Sequence, residues 1–260
     1  MSSAYCVKAL VSGIAFISVV FVPYSDACGS TDTGPRPPGP RPGRGWRNLV
    51  EGTASEEAWS DTSSGSPISL SADLTCINFG SDCRWHNVDS PDELDWSRGG
   101  GRPAQTRLRA YTSTGVQPVE PYALAFPDES RPPEDQAFMV SDPVPCQNGG
   151  GELSFRFWAS VNSDVRVCTR RSGSSSQTFC SQPIERNDPG PAYVEIPDSD
   201  QEFENGTYAS AAVAVSATAQ SSKWGSFVRH RRCIYFNAEN FDTAEDFVII
   251  DDITYNALIC

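Results

Sequence analysis

From Leu74 onward the chain is patterned in short runs in which apolar and polar residues alternate. Leu153, Phe155 and Phe157 fall on one face of such a run, and residues 165–168 repeat the pattern. Further β-branched or aromatic runs lie between clusters of Pro, Gly, Asn, Asp and Ser, at residues 193–196, 227–236 and 247–255. No long segment carries a 3.6-residue apolar stripe. The pattern predicts an all-β fold of two antiparallel sheets packed face to face.

The run at residues 208–219 fits two elements. Its alanines favour a helix, whereas Val213 and Val215 with flanking serines favour a strand. We interpret it as a strand.

The N-terminus has the order of a secretory signal peptide. Lys8 precedes an apolar run at residues 9–22, and the small residues Ser25 and Ala27 suit a cleavage site before Cys28. The alternative is an uncleaved anchor, but the run is too short to span a bilayer comfortably. We therefore predict a signal peptide at residues 1–27 and a secreted, extracellular protein without a membrane span.

Residues 28–72 are rich in Pro, Gly and Ser and lack apolar periodicity, which predicts a disordered linker. Within it, residues 34–45 hold five prolines and three arginines, a composition that favours an extended polyproline II conformation. Two interpretations stay open: a solvated spacer, or a ligand for an aromatic-lined groove or an acidic glycan. Trp46 and Trp59 have no core to fill in such a linker, so they are candidates for partner contact.

The charge balance argues against nucleic-acid binding. The 260 residues include 20 Lys and Arg against 33 Asp and Glu, a net charge of −13. Residues 28–48 carry one aspartate and four arginines, a net charge of +3, so residues 49–260 carry −16. A basic cluster, Lys223-Trp224 with residues 229–232, is either a docking stripe or an exposed strand balanced by nearby carboxylates.

Catalytic patterns are scarce. The sequence has two histidines, His86 and His230, and no Gly-x-Ser-x-Gly elbow, His-Glu-x-x-His or phosphate loop. We predict a protein that is not an enzyme and has no catalytic residues. A pair of carboxylates acting as in glycosidases is the remaining enzymatic alternative.

The cysteines fit an oxidising compartment. Removal of Cys6 with the signal peptide leaves eight of the nine, an even set without the CxxC spacing of zinc sites. The sequon at Asn205 is a candidate N-glycosylation site.

Three patches of sequence together resemble the MAM domain, an extracellular module of meprins, neuropilins and mu-type receptor tyrosine phosphatases. The first patch is CINF, CRW and DELDW at residues 76–79, 83–85 and 92–96; the second is residues 153–158 with 165–167; the third is FVIIDDI at residues 247–253, followed by Cys260. The resemblance covers residues 73–260. It implies a jelly-roll β-sandwich that mediates adhesion, oligomerisation or recognition outside the cell, without catalysis.

The resemblance also implies two disulfides, which map onto Cys76 with Cys83 and Cys146 with Cys260. Cys168 and Cys180 exceed the family's usual four cysteines, and their spacing across a Gly/Ser turn suits a hairpin staple. Two options stay open for Cys28 and Cys233: a bond between them, or a bridge from Cys28 to another chain that would give a covalent dimer.

Metal binding is the least constrained expectation. Gly80 stands where family members commonly carry an acidic residue, which places the metal sites of some members in doubt here. Asp73, Asp251 and Asp252 supply oxygen atoms suited to a structural calcium ion, and the alternative is that they are solvated or capping carboxylates. No other cofactor is predicted.

Together these observations predict a secreted, non-catalytic module for protein recognition, adhesion or self-association, with an extracellular protein or a second copy of the chain as partner. The alternative is a carbohydrate-binding jelly-roll lectin, since this architecture serves unrelated functions.

Overall fold

A computed structural model describes residues 49–59, 66–88, 93–132, 134–172, 176–186, 189–198 and 231–260. The predicted signal peptide at 1–27, the proline-rich residues 34–45, the sequon at Asn205, the strand predicted at 208–219 and most of the basic cluster lie outside the described residues. No helix in the described ranges is long and apolar enough to cross a membrane.

The described ranges form strands with two short helices. The strands are β1 Val50–Ala58, β2 Trp85–Asn87, β3 Trp96–Pro103, β4 Tyr122–Ala125, β5 Gln136–Ser141, β6 Gln147–Ala159, β7 Asp164–Arg171, β8 Gln177–Cys180, β9 Ala192–Ile196, β10 Arg232–Glu239 and β11 Val248–Ile259. A 3₁₀ turn spans Ser71–Leu74, and an α-helix, α1, spans Gln105–Thr112.

The strands make two antiparallel sheets. One has the order β1-β3-β4-β11-β6-β9 and the other β2-β5-β10-β7-β8. Neighbours in each sheet are often distant in sequence, as β11 is from β4 and β6, which is the connectivity of a jelly-roll sandwich. The predicted all-β sandwich of two antiparallel sheets is confirmed.

Large side chains from both sheets fill the space between them. Phe155 of β6 meets Phe236 of β10 edge-on, with ring centroids 4.8 Å apart, and Trp85 of β2 lies 5.1 Å from the same ring. The alternation in the sequence of β6 places Leu153, Phe155 and Phe157 in this core, as predicted.

Helix α1 covers part of the outer face of the six-stranded sheet. Leu108 of the helix packs with Tyr122, Trp158 and Phe247 in a second apolar cluster. The helix is eight residues long and ends at Thr112, and the following residue, Ser113, takes the left-handed conformation with φ 62°. It was not predicted, because so short an element shows little periodicity.

The sandwich begins earlier than residue 73, so that predicted boundary is wrong. Residues 50–58, assigned to the disordered linker, form β1 and pair with β3. Trp59, expected to have no core to fill, packs edge-on against Phe79 at 5.2 Å and donates from Nε1 to the Trp85 carbonyl at 2.9 Å. Strand β1 could not be predicted from its polar sequence, because an edge strand is held chiefly by backbone pairing on one side.

Three disulfides tie the described residues together: Cys76–Cys83, Cys146–Cys260 and Cys168–Cys180. These are the pairs inferred from the sequence. Their sequence separations are 7, 114 and 12 residues respectively. Cys233 is also disulfide-bonded, and its pairing with Cys28 stays a prediction because Cys28 lies outside the described residues.

Candidate binding groove

A groove opens along the side of the sandwich where strands β8 and β9 lie. Each is the last strand of its sheet in the described part of the chain. The groove encloses about 790 Å³ and is lined by Phe179, residues 181–185 and residues 190–195. We call it the edge groove. Its volume lies within the range, about 300–1,000 Å³, of sites that bind small ligands.

The floor of the edge groove is apolar and rests on the core. Phe179, Ile184 and Ala192 are partly buried and pack against the core cluster while also lining the groove. Backbone bonds to β7 hold this wall in place: the Ser181 and Ile184 amides each donate to a β7 carbonyl, both at 2.9 Å. The floor is therefore a fixed part of the sandwich.

Strand β9 forms the opposite wall. Val194 and Ile196 point into the core, whereas Tyr193 and Glu195 point away from it. Tyr193 is 62% exposed, so much of its ring is accessible to a ligand. It lies at the border between the edge groove and the outer face of the six-stranded sheet.

Gly190 allows the chain to enter β9 close to β6. Its φ is +107°, and a Cβ atom there would lie 2.5 Å from the Ala192 nitrogen and 2.9 Å from the Phe155 carbonyl oxygen. Only glycine takes this conformation and this spacing without displacing backbone. The Pro189 carbonyl accepts a bond from the Phe157 amide at 2.8 Å, which fixes the approach.

The acidic residues that line the edge groove are two glutamates, Glu185 and Glu195. Glu152 of β6 lies directly across from Glu195 and is also exposed, so like charges meet on this face. The nearby Arg186 is engaged elsewhere: it donates to the carbonyls of Ser160 and Ser163 and lies 3.8 Å from Asp164. The groove therefore has an acidic rim.

The outer face beside Tyr193 carries small polar residues. Ser154 pairs with Tyr193 on one side and Thr254 on the other, so the three side chains form one row. The next row is Glu195, Glu152 and Asn256. We call these six residues the outer-face platform; it joins an exposed ring to hydroxyl, carboxylate and amide groups.

A second, smaller cleft of about 530 Å³ lies at the other end of the six-stranded sheet, between β1, β3 and residues 119–121. Its polar groups bond to one another: Arg98 contacts Glu57 at 3.2 Å, and Glu120 accepts from the Gly101 amide at 2.8 Å. This internal pairing leaves it less suited to a ligand than the edge groove.

The three aspartates proposed for calcium have separate partners. Asp73 accepts from the backbone amides of Leu70 and Ser69, and these bonds lower the pKa of its carboxyl group. Asp252 lies 3.7 Å from Arg156. Within the described ranges, no group of three or more His, Cys, Asp or Glu side chains is placed to hold a metal ion.

Asp251 is fully buried in β11, where the register with β6 shifts. Burial raises the pKa of its carboxyl group from 3.8 to about 6. The carboxylate accepts the Val119 and Asp252 amides, both at 2.9 Å, so it braces the segment that leads into β4.

His86, the histidine within the described residues, is buried on β2. Its Nδ1 lies 4.0 Å from Asp142, which Arg84 binds at 2.7 Å. This arrangement is a buried polar network beside the first disulfide, in keeping with the structural role expected from the sequence.

The sequence did not single out the residues of the edge groove. Residues 193–196 were predicted as a strand, and an outward-facing tyrosine in that strand was the available signal. Phe179, Ile184 and Glu185 join it only through the packing of the two sheets.

Comparisons with known proteins leave the family open. No protein-family model matches the chain, and no curated protein matches it. Among solved structures, TmCBM61 in complex with beta-1,4-galactotriose is 12% identical, with 67% of this chain and 88% of that chain covered and a TM-score of 0.32. The Stig cyclase Fisc from Fischerella sp. TAU is 13% identical, covering 79% and 100%, with a TM-score of 0.37.

A third similar structure, the arabinose-bound MgGH51 α-L-arabinofuranosidase, is 10% identical and covers 72% of this chain and 26% of that chain, with a TM-score of 0.34. At such scores these likenesses carry no argument about activity or ligand. The case for a function therefore depends on the residues of the edge groove.

Proposed function

We propose that the protein is a secreted, non-catalytic, MAM-like module that recognises other extracellular proteins through the edge groove. The observation that carries the proposal is the groove itself: it has an apolar floor, Tyr193 and Glu195 on the outermost strand of a sheet, and Glu185 on the opposite wall. Three disulfides within the described residues fit an extracellular setting.

A protein ligand suits this site better than a small molecule. Within the described part of the chain β9 pairs with β6 on one side, and its other side borders the groove. A strand edge offers backbone donors and acceptors to an extended chain, and neighbouring side-chain pockets provide selectivity. The groove is open rather than enclosed, which suits a segment that enters and leaves at its ends.

The test is a binding screen with the secreted, oxidised protein against an array of purified extracellular proteins that includes the protein itself. The decisive variant is Tyr193→Ser, and Ile77→Ser is a matched control because Ile77 is 53% exposed in the Cys76–Cys83 loop. We expect saturable binding to a protein that Tyr193→Ser weakens at least about tenfold. Binding that both variants leave unchanged would remove the groove from the proposal.

The outer-face platform supports glycan binding as a second candidate function. An exposed tyrosine ring beside hydroxyl, carboxylate and amide groups matches the way sugars stack on an aromatic face while neighbouring polar groups bond to their hydroxyls. A glycan array separates the candidates. Binding lost in Ser154→Val or Thr254→Val, with protein binding retained, would favour the lectin function.

A further inference from the structure

We propose that the edge groove binds the proline- and arginine-rich segment of this same chain, residues 34–47, in a polyproline II conformation. The inference rests on the proposed function, because it names the ligand chemistry of the same groove. The segment reads GPRPPGPRPGRGWR and lies outside the described residues, which begin at Leu49.

The chemistry of the groove fits such a segment. Polyproline II chains are extended and leave their carbonyls without internal partners, so they bind to grooves that offer aromatic or proline surfaces and hydrogen-bond donors. The groove supplies the rings of Phe179, Pro191 and Tyr193. Gln182 and the Tyr193 hydroxyl are donors that can reach backbone carbonyls of a bound segment.

The charges that line the groove also favour residues 34–47 as its ligand. The segment carries four arginines and no acidic residue, while Glu185 and Glu195 line the groove and Glu152 lies beside them. In the described part of the chain none of the three glutamates forms an ion pair. An arginine-bearing ligand would relieve the repulsion between Glu152 and Glu195, which lie directly opposite each other.

The segment is long enough to reach the groove within one molecule. Leu49 precedes β1, and β9 lies five strands away in the same sheet, about 24 Å at the usual strand spacing. Residues 35–40 precede Leu49 by 9–14 residues, about 28–43 Å in a polyproline II conformation. This N-terminal part of the segment therefore reaches the groove of its own chain, while residues 41–48 span the distance. The groove of a second copy is an equally permitted location, so docking takes place either within a chain or between chains.

The experiment titrates a fluorescent peptide of residues 34–47 into the full secreted chain whose own segment is weakened by Arg36→Gln, Arg41→Gln and Arg44→Gln. We expect saturable binding. Tyr193→Ser in that background should weaken it about 10- to 30-fold, as loss of a central aromatic contact does. Ile77→Ser should leave it unchanged. A peptide with every proline replaced by alanine keeps the charge and should bind at least about tenfold more weakly.

Charge exchange provides an independent check. Glu185→Arg with Glu195→Arg should abolish binding of the natural peptide and restore it for a peptide whose arginines are replaced by glutamate.

The unmodified chain should bind the added peptide more weakly than the chain with the three arginine substitutions, since its own segment competes for the groove. A concentration-dependent dimer in sedimentation velocity, lost in the arginine-substituted chain, indicates docking between chains; a monomer throughout indicates docking within one.

Absence of peptide binding, or binding that is indifferent to Tyr193→Ser, overturns the inference. The proposed function is tested separately. It would still stand if an extracellular protein bound to the groove and Tyr193→Ser weakened that binding. Failure of Tyr193→Ser to affect either ligand would overturn both.

Discussion

Replacement of Asp251 by asparagine tests whether one buried carboxyl group sets the pH dependence of stability. The side chain is fully buried where the register of β11 shifts, and its oxygens accept the Val119 and Asp252 amides at 2.9 Å each. Burial raises its pKa from 3.8 to about 6; the charge of Asp252 adds to this rise, while the two amide bonds and Arg156 oppose it.

The direction in which pH changes the free energy of unfolding follows from the number of protons bound in each state. In the unfolded chain the group loses its proton near pH 3.8, whereas in the folded chain it keeps it until about pH 6. Between these values the folded state holds more protons, so the free energy of unfolding falls as the pH rises. Two pH units at about 1.4 kcal/mol per unit set an upper limit of about 3 kcal/mol, and solvent screening reduces this to about 2 kcal/mol.

The assay is urea unfolding of the oxidised protein at a series of pH values from 4 to 7, with the free energy of unfolding compared between the parent and Asp251→Asn. The parent should lose about 2 kcal/mol relative to the variant across this range. The carboxyl group of Asp73 has a lowered pKa, and its bonds stabilise the folded state only at pH values above that pKa. Its contribution is the same in both proteins and therefore cancels when they are compared. Asp242→Asn is the matched control, because Asp242 is exposed and is not among the groups that shift the pKa of Asp251.

Chelator in every sample removes any contribution from calcium. If the plots of the free energy of unfolding against pH were parallel for the parent and Asp251→Asn, the reasoning would be refuted. The buried carboxyl group would then not contribute to the pH dependence of stability.

Two further predictions concern covalent and backbone constraints. Replacing Cys146 and Cys260 together by serine should lower the free energy of unfolding by about 4–5 kcal/mol, because that disulfide closes a loop of 114 residues; a loss under about 1 kcal/mol in urea unfolding would contradict this. Gly190→Ala should cost about 2–3 kcal/mol, against about 1 kcal/mol for Gly149→Ala, which shares a positive φ but has open space around it. Equal urea midpoints for the two glycine variants would disprove the steric argument.

The strand pattern and the disulfides were readable from the sequence for different reasons. Alternation in β6 predicted its core face because successive side chains of a strand point to opposite sides. Cys76 with Cys83 and Cys146 with Cys260 followed from the resemblance, and the 12-residue spacing of Cys168 and Cys180 suited a hairpin. The alternation and the 12-residue spacing are local features, whereas the pairing of Cys146 with Cys260, 114 residues apart, was implied by the resemblance alone.

Strand β1 and the role of Trp59 were not predictable in the same way. The sequence of β1 is mostly polar, and its stability comes from backbone bonds to β3 about 45 residues away. Trp59 contacts Phe79 and the Trp85 carbonyl, which lie 20 and 26 residues further along the chain. Polar composition therefore led to an expectation of disorder where pairing with a distant partner gives a strand.

The sequence by itself determined the all-β class, the acidic character of the body and the proline- and arginine-rich composition of residues 34–47, because these depend on residue types and short-range order. Only the tertiary structure decided where a ligand can bind. Phe179 and Ile184 approach Tyr193 and Glu195 because β8 and β9 end their respective sheets on the same side of the sandwich. No local pattern encodes that proximity, since it arises from the order in which distant strands pair.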